Sequence, residues 1–151
     1  MRKLAALAKY LQQVTGLHRE RFTAFADQGT LIPTGRDLGN GIEIGIFKYD
    51  AVIQIERYPG DAYHLLAVVS AWLADNDATR DDDGLADPDV DIGLNDDRTA
   101  DVDLSVEFEE RIQIVPQDGG PIAFDGRDWA VVDVPVDFAE SVDGMDGEAG
   151  E

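Results

Sequence analysis

Between residues 100 and 110 the chain alternates with a period of two. Val102, Leu104, Val106 and Phe108 fall on one phase; Asp101, Asp103, Ser105, Glu107 and Glu109 fall on the other. Successive side chains of a strand point to opposite faces, so this segment reads as a strand with one dry side and one wet side. Four acids on one side repel one another unless water or a partner's basic groups compensate. Two uses fit such a face. It can be a solvent face that also blocks unwanted edge pairing. It can instead be a subunit contact or a channel lining, where like charge discourages DNA from sticking. Asp101, Asp103, Glu107 and Glu109 are accordingly the candidate interaction residues.

The rest of the chain supplies what such a strand needs. Leu4, Leu7, Ala8, Leu11 and Val14 recur at helical spacing, which predicts an amphipathic helix over residues 3–15 stopped by Gly16. Phe22 and Phe25 anchor a short segment ending at Asp27-Gln28-Gly29, and Pro33, Gly35, Gly39 and Gly41 mark a loop. Ile42, Ile44 and Ile46 keep the strand period, as do Ala51, Ile53 and Ile55. The two runs read as a hairpin bent near Lys48-Tyr49-Asp50. Tyr58-Pro59-Gly60-Asp61 ends that sheet segment and offers Asp61 as a helix N-cap. Leu65, Leu66, Val69, Trp72 and Leu73 then define a second helix over residues 62–74.

A charged loop follows at residues 75–89, and Val90, Ile92 and Leu94 resume the strand period before Asn95-Asp96-Asp97 turns the chain. Ile112 and Ile114 continue the apolar phase of the long strand. Glu110 is the one polar residue in that phase, as at a bulge or a sheet end. Gln117-Asp118-Gly119-Gly120-Pro121 breaks the pattern, and residues 129–136 read as a last strand. Beyond residue 136 apolar content collapses while glycine and acid dominate, the composition of a disordered tail. The fold class is α+β: a mixed or mostly antiparallel sheet with two helices packed on it. Residues 1–136 form one domain and 137–151 an acidic tail.

Charge is divided as unevenly as the strand. The formal net charge is −20 over 151 residues. Residues 1–74 hold eight Lys/Arg against seven Asp/Glu, whereas residues 75–151 hold four against twenty-five. The second half is not expected to bind nucleic-acid phosphates, because contacts there would be repulsive. Solubility and a salt-loving host both account for the acidity, since Asp outnumbers Glu by 23 to 9 and Lys appears three times. No cysteine is present, so disulfides and thiolate metal sites are excluded. The longest apolar stretch, residues 65–73, is too short to span a bilayer. Met1-Arg2-Lys3 opens like a signal peptide, but the stripe behind it is amphipathic and carries Lys9, so the expected compartment is the cytoplasm.

Catalytic and metal-binding patterns do not assemble. His18 and His64 are far apart and lack the H-E-x-x-H spacing, and neither a G-x-S-x-G elbow nor a Walker loop occurs. Gly39-Asn40-Gly41 opens a strand rather than a helix and reads as a turn. In Asp81-Asp82-Asp83-Gly84, a calcium loop turning at Gly84 would take its first ligand from Thr79 and its last from Val90, which is not an EF-hand. Asp89, Asp91, Asp96 and Asp97 could form only an irregular site. The expectation is a protein with no catalytic residue, no metal and no cofactor.

The order of features resembles the tail-completion protein R family of contractile-tailed bacteriophages. The residues that carry the resemblance begin with the Leu-rich opening helix, Arg21-Phe22, Phe25, Asp27, Gly29 and Thr34-Gly35, and run through the strand pair from Glu43 to Tyr58. Gly60-Asp61, Leu65-Leu66 and Ala71-Trp72-Leu73 follow. Val90-Asp91-Ile92, Asn95-Asp96, the run from Ala100 to Glu107, and Glu110-Arg111-Ile112 complete it. Residues 116–151 fall outside it, and the loop at 75–89 is more acidic than the family pattern. The resemblance implies a small domain that closes into a ring of six on the last ring of the tail tube. Such a ring stops tube and sheath growth and supports head–tail joining. Its implied partners are copies of itself, tail tube and sheath proteins and the head–tail connector, with no nucleic acid and no membrane. Its place is the virion tail, after assembly in the host cytoplasm. The alternative from the charge alone is an acidic DNA mimic that inhibits a host nuclease.

Overall fold

A computed structural model of the chain describes residues 1–132. Helix α1 (Arg2–Thr15) leads through a single 3-10 turn (Arg19–Arg21) into strands β1 (Phe22–Asp37) and β2 (Ile42–Tyr58). Helix α2 (Ala62–Asn76) follows, then strands β3 (Asp89–Leu94), β4 (Ala100–Pro116), β5 (Ile122–Phe124) and β6 (Arg127–Val131). The six strands form one sheet in which every pairing is antiparallel. Its order is β1-β2-β4-β6-β5, and β3 also pairs with β4. β3 takes the first part of β4 (Ala100 to Ser105) and β6 takes its end (Ile114 to Pro116). The sequence expectation of an α+β fold with two helices on a mostly antiparallel sheet holds.

Both helices lie on one face of the sheet. Tyr49, Ala51, Ile53 and Ile55 of β2 stand opposite Phe108, Val106, Leu104 and Val102 of β4. All eight are buried in one cluster with Leu4, Leu7 and Leu11 of α1 and Leu65, Val69 and Trp72 of α2. The Trp72 and Phe108 rings meet edge-on at 6.2 Å between centroids. Fully burying one such side chain contributes about 1.5–3 kcal/mol, so this cluster is the main stabilising term. Gly16 stops α1 in the left-handed conformation, with φ +67°, and Asp61 caps α2 by accepting the Tyr63 N–H at 3.0 Å. Both stops match the sequence reading; Val14 does not, since it is left 43% exposed.

Three expectations fail in the sheet. The chain does not bend at residues 48–50: β2 is one continuous strand of 17 residues, because Tyr49 is a buried core residue. The hairpin partner is β1, and the bend lies at Gly39-Asn40-Gly41. There Gly39 has φ +87° and the Leu38 N–H donates to the Gly41 carbonyl at 2.8 Å. That triplet is therefore the turn the sequence showed, placed in a longer hairpin. The loop expected around Pro33 and Gly35 is the second half of β1, an edge strand where a residue without an N–H is tolerated. Asp27-Gln28-Gly29 does not end a segment but makes a bulge, with Gln28 at φ +50°. A Cβ on Gly29 would lie 2.6 Å from the Phe47 ring.

The last strand expected at 129–136 is present as β6 up to Val131, paired with a short β5 that the sequence did not announce. Val132 follows outside the strand, and residues 133–136 and the tail at 137–151 lie outside the described residues.

Candidate functional site

Among the described residues no helix covers the opposite face of the sheet, and the candidate residues are on it. Along β4 burial alternates residue by residue, with Val102, Leu104, Val106 and Phe108 inside and Asp101, Asp103, Ser105, Glu107 and Glu109 on the other side. Register extends the acid across the sheet. Asp91 of β3, Asp103 of β4, Gln54 of β2 and Thr23 of β1 share one row. Glu107, Asp50 and Asp27 share another, and Asp89 stands opposite Ser105 between the two. Carboxylates from four strands thus meet on one face. Asp50 feels the result: burial and then the charges of Glu107, Asp27 and Asp89 raise its carboxyl above the usual value, while Lys48 works the other way.

The four candidates are not equivalent. Asp101 accepts the Arg57 N–H at 2.9 Å and the Asn95 amide at 3.1 Å. It thereby holds the irregularity where Arg57 adopts φ +55°, and these hydrogen bonds lower its pKa. Glu107 accepts the Ala86 N–H at 2.8 Å and has Lys48 Nζ at 3.8 Å. Glu109 sits opposite Lys48, and its carbonyl accepts Lys3 Nζ at 3.0 Å. Asp103 stands exposed between Gln54 and Asp91. Two of the four therefore also hold local structure, which a pattern of alternating residues cannot reveal.

Sequence reasoning missed three other carboxylates. Glu110 is neither at a bulge nor at a sheet end. Its carboxylate accepts the N–H groups of Arg2 (2.9 Å) and Lys3 (3.2 Å) and the Tyr49 hydroxyl, so it closes the N-terminus of α1. An acid there also meets the positive end of the helix dipole. Asp77, expected in a solvated loop, is buried between Lys3 Nζ and Arg80 Nη1, each at 2.7 Å. Arg80 further donates to the carbonyls of Glu107 and Ala86, so one cation organises the acidic loop against the free stretch of the β4 edge. Glu43 is 3% exposed and faces Arg36 at 3.2 Å and Arg111 at 3.5 Å, whereas Ile42, Ile44 and Ile46 beside it are only half-buried. A polar residue in the apolar phase was the available signal for Glu110; Asp77 and Glu43 had none.

Among the described residues, no group of three or more His, Asp or Glu could hold a metal ion, and no helix is long and apolar enough to cross a membrane. His18 and His64 are both exposed, and the His18 ring accepts the Glu20 N–H. Among the described residues the sheet presents a helix-free acidic face and edge strands paired on one side only.

The chain belongs to the P2 phage tail completion protein R (GpR) family, whose model it matches over residues 1–134. It is also 27% identical, over 126 residues, to an uncharacterized 19.2 kDa protein in the rep-hol intergenic region of Haemophilus phage HP1 (strain HP1c1). That match covers 81% of this chain and 76% of the phage protein. No solved structure matches the chain. The family match passes the end of the sequence resemblance at Val115 and takes in β5 and β6. Family membership makes this a phage tail completion protein with a role in tail structure, and its partners are other tail components.

Proposed function

We propose that the chain is a non-catalytic tail terminator. Copies close into a ring, of six, on the last ring of the tail tube, stop tube and sheath growth, and offer the head–tail connector a docking surface. The ring forms in the host cytoplasm and stays in the virion tail. The observation that carries this reading is the division of the sheet, with both helices on one face and carboxylates from four strands on the other. A terminator needs shape and binding energy rather than a reacting group, and a wide helix-free face supplies them. Asp101, Asp103, Glu107 and Glu109 face the lumen or a basic neighbouring ring. In a lumen, like charge keeps DNA from adhering as it passes.

Because Asp101 and Glu107 also hold loops, the clean test reverses Asp103 and its cross-strand neighbour. A phage carrying Asp103→Lys with Asp91→Lys should lose infectious titre by about tenfold or more, since about 1.4 kcal/mol of lost contact energy suffices for that. The purified variant should melt with the wild-type protein. Normal titre and normally joined tails would reduce the face to solvated surface. Inhibition of a host nuclease by the purified protein would move the function to DNA mimicry.

A further inference from the structure

Four strands of the sheet are in register as one block. Phe22, Ile55, Val102 and Ile92 form one row across β1, β2, β4 and β3, and Ala24, Ile53, Leu104 and Val90 form the next. The block ends in two strands that, among the described residues, pair on one side only: β1 at one margin and β3 at the other. Each margin carries apolar side chains that the monomer leaves in water. On β3, Val90, Ile92 and Leu94 point to the helix side and are 36%, 40% and 86% exposed. On β1, Ala24 is exposed on the helix side, while Phe25, 43% exposed, points to the acidic face. An unpaired edge with apolar side chains is a template for another strand.

We infer that β3 of one copy pairs antiparallel with residues 22–27 of β1 in the next copy, which specifies the subunit contact of the proposed ring and rests on that reading. Three observations favour a second copy, joined head to tail. First, neighbours alternate in direction across β1, β2, β4 and β3, so an identical copy set beside β3 in the same orientation presents its β1 antiparallel. The helices and the acidic face then stay on their own sides from copy to copy. Second, the lengths agree: β3 has six residues, and β1 has six, from Phe22 to Asp27, before its bulge.

Third, charge selects the pairing. Residues 87–97 hold Asp87, Asp89, Asp91, Asp96 and Asp97 and no Lys or Arg, so β3 against β3 would set acid on acid. The opposite margin begins with Arg19 and Arg21, balanced by Glu20 and Asp27. With the two six-residue segments of β3 and β1 set flush, Leu94 meets Phe22 of the next copy, Ile92 meets Ala24 and Val90 meets Ala26. The turn containing Asp96 and Asp97 then lies beside Arg19 and Arg21. Such a contact is heterologous, and rotation closes it into a ring. The acidic face becomes one continuous lining.

A chain without cysteine makes the test direct. Ala24→Cys combined with Ile92→Cys, or with Val90→Cys to cover a two-residue slip, should oxidise in assembled tails to a ladder of covalent multimers. Directly paired strand residues fall within disulfide reach, so multimers should exceed those of either single variant by about tenfold or more. Ala24→Cys with Asp91→Cys places the thiols on opposite faces and should give no ladder. Dimers from a single-cysteine variant would overturn the inference in favour of a two-fold contact. Absence of a ladder from tails of normal form would overturn the edge pairing while leaving the tail role intact. Should the cysteine variants yield no particles, Leu94→Asp decides, because that side chain is already 86% exposed in the monomer. It should leave the melting temperature unchanged and lower titre by about tenfold or more, the loss of about 1.4 kcal/mol per contact. Wild-type titre with Leu94→Asp would overturn the pairing.

Discussion

Replacing Asp77 by alanine should destabilise the protein by about 3–5 kcal/mol, the usual cost of removing one partner from a buried ion pair. Its side chain is 2% exposed and lies 2.7 Å from both Lys3 Nζ and Arg80 Nη1. Arg80 is itself largely buried and would keep its charge with no carboxylate beside it. The loss would spread, because Lys3 and Arg80 also donate to the Glu109 and Glu107 carbonyls on the β4 edge. The opening of α1, the loop after α2 and the free stretch of β4 share this one carboxylate. Asp77→Asn, which keeps the shape and one acceptor, should cost less. Urea unfolding followed by circular dichroism measures both; a midpoint within error of wild type for Asp77→Ala contradicts the assignment.

Glu110→Gln should cost about 2–3 kcal/mol, because three donors lose a charged acceptor at a helix N-terminus. This substitution preserves volume, so the effect is electrostatic. The pH dependence has a defined sign. Burial raises the Glu110 pKa, but hydrogen bonds from Tyr49, Arg2 and Lys3 and the N-terminal charge outweigh it, so the carboxyl is held below its ordinary 4.5. A depressed folded value stabilises above the unfolded pKa and loses that contribution as pH falls through the folded one. The gap between wild type and Glu110→Gln should therefore be full near neutrality and shrink progressively below about pH 4.5. Asp50 acts in the opposite sense, since its raised carboxyl is relieved on protonation. Comparing the two proteins at each pH cancels that contribution. A gap that widens on acidification would contradict the role given to Glu110.

The extent to which the sequence disclosed all this follows from which forces act locally. Helix α1, helix α2 with its Asp61 cap, and the two-faced β4 were legible because periodicity and capping are properties of neighbouring residues. The hairpin was misplaced because a bend at 48–50 and a bend at 39–41 both satisfy strand periodicity. What separates them is that Tyr49 is buried against Phe108 from another strand. The need for glycine at position 29, where a Cβ would meet the Phe47 ring of the neighbouring strand, was invisible for the same reason.

The candidate face was legible in part. Alternation alone put Asp101, Asp103, Glu107 and Glu109 on one side, but only register added Asp27, Asp50, Asp89 and Asp91. The pairings of Asp77 with Lys3 and of Glu110 with α1 span 74 and more than 100 residues of chain, beyond the reach of any local pattern.

Whether this protein finishes the tail is decided by electron microscopy of lysates from a phage or prophage lacking its gene. Loss of a tail terminator should leave overlong tubes, or finished heads beside unjoined tails, with the defect at the head-proximal end. Normal tails of uniform length joined to heads would contradict it.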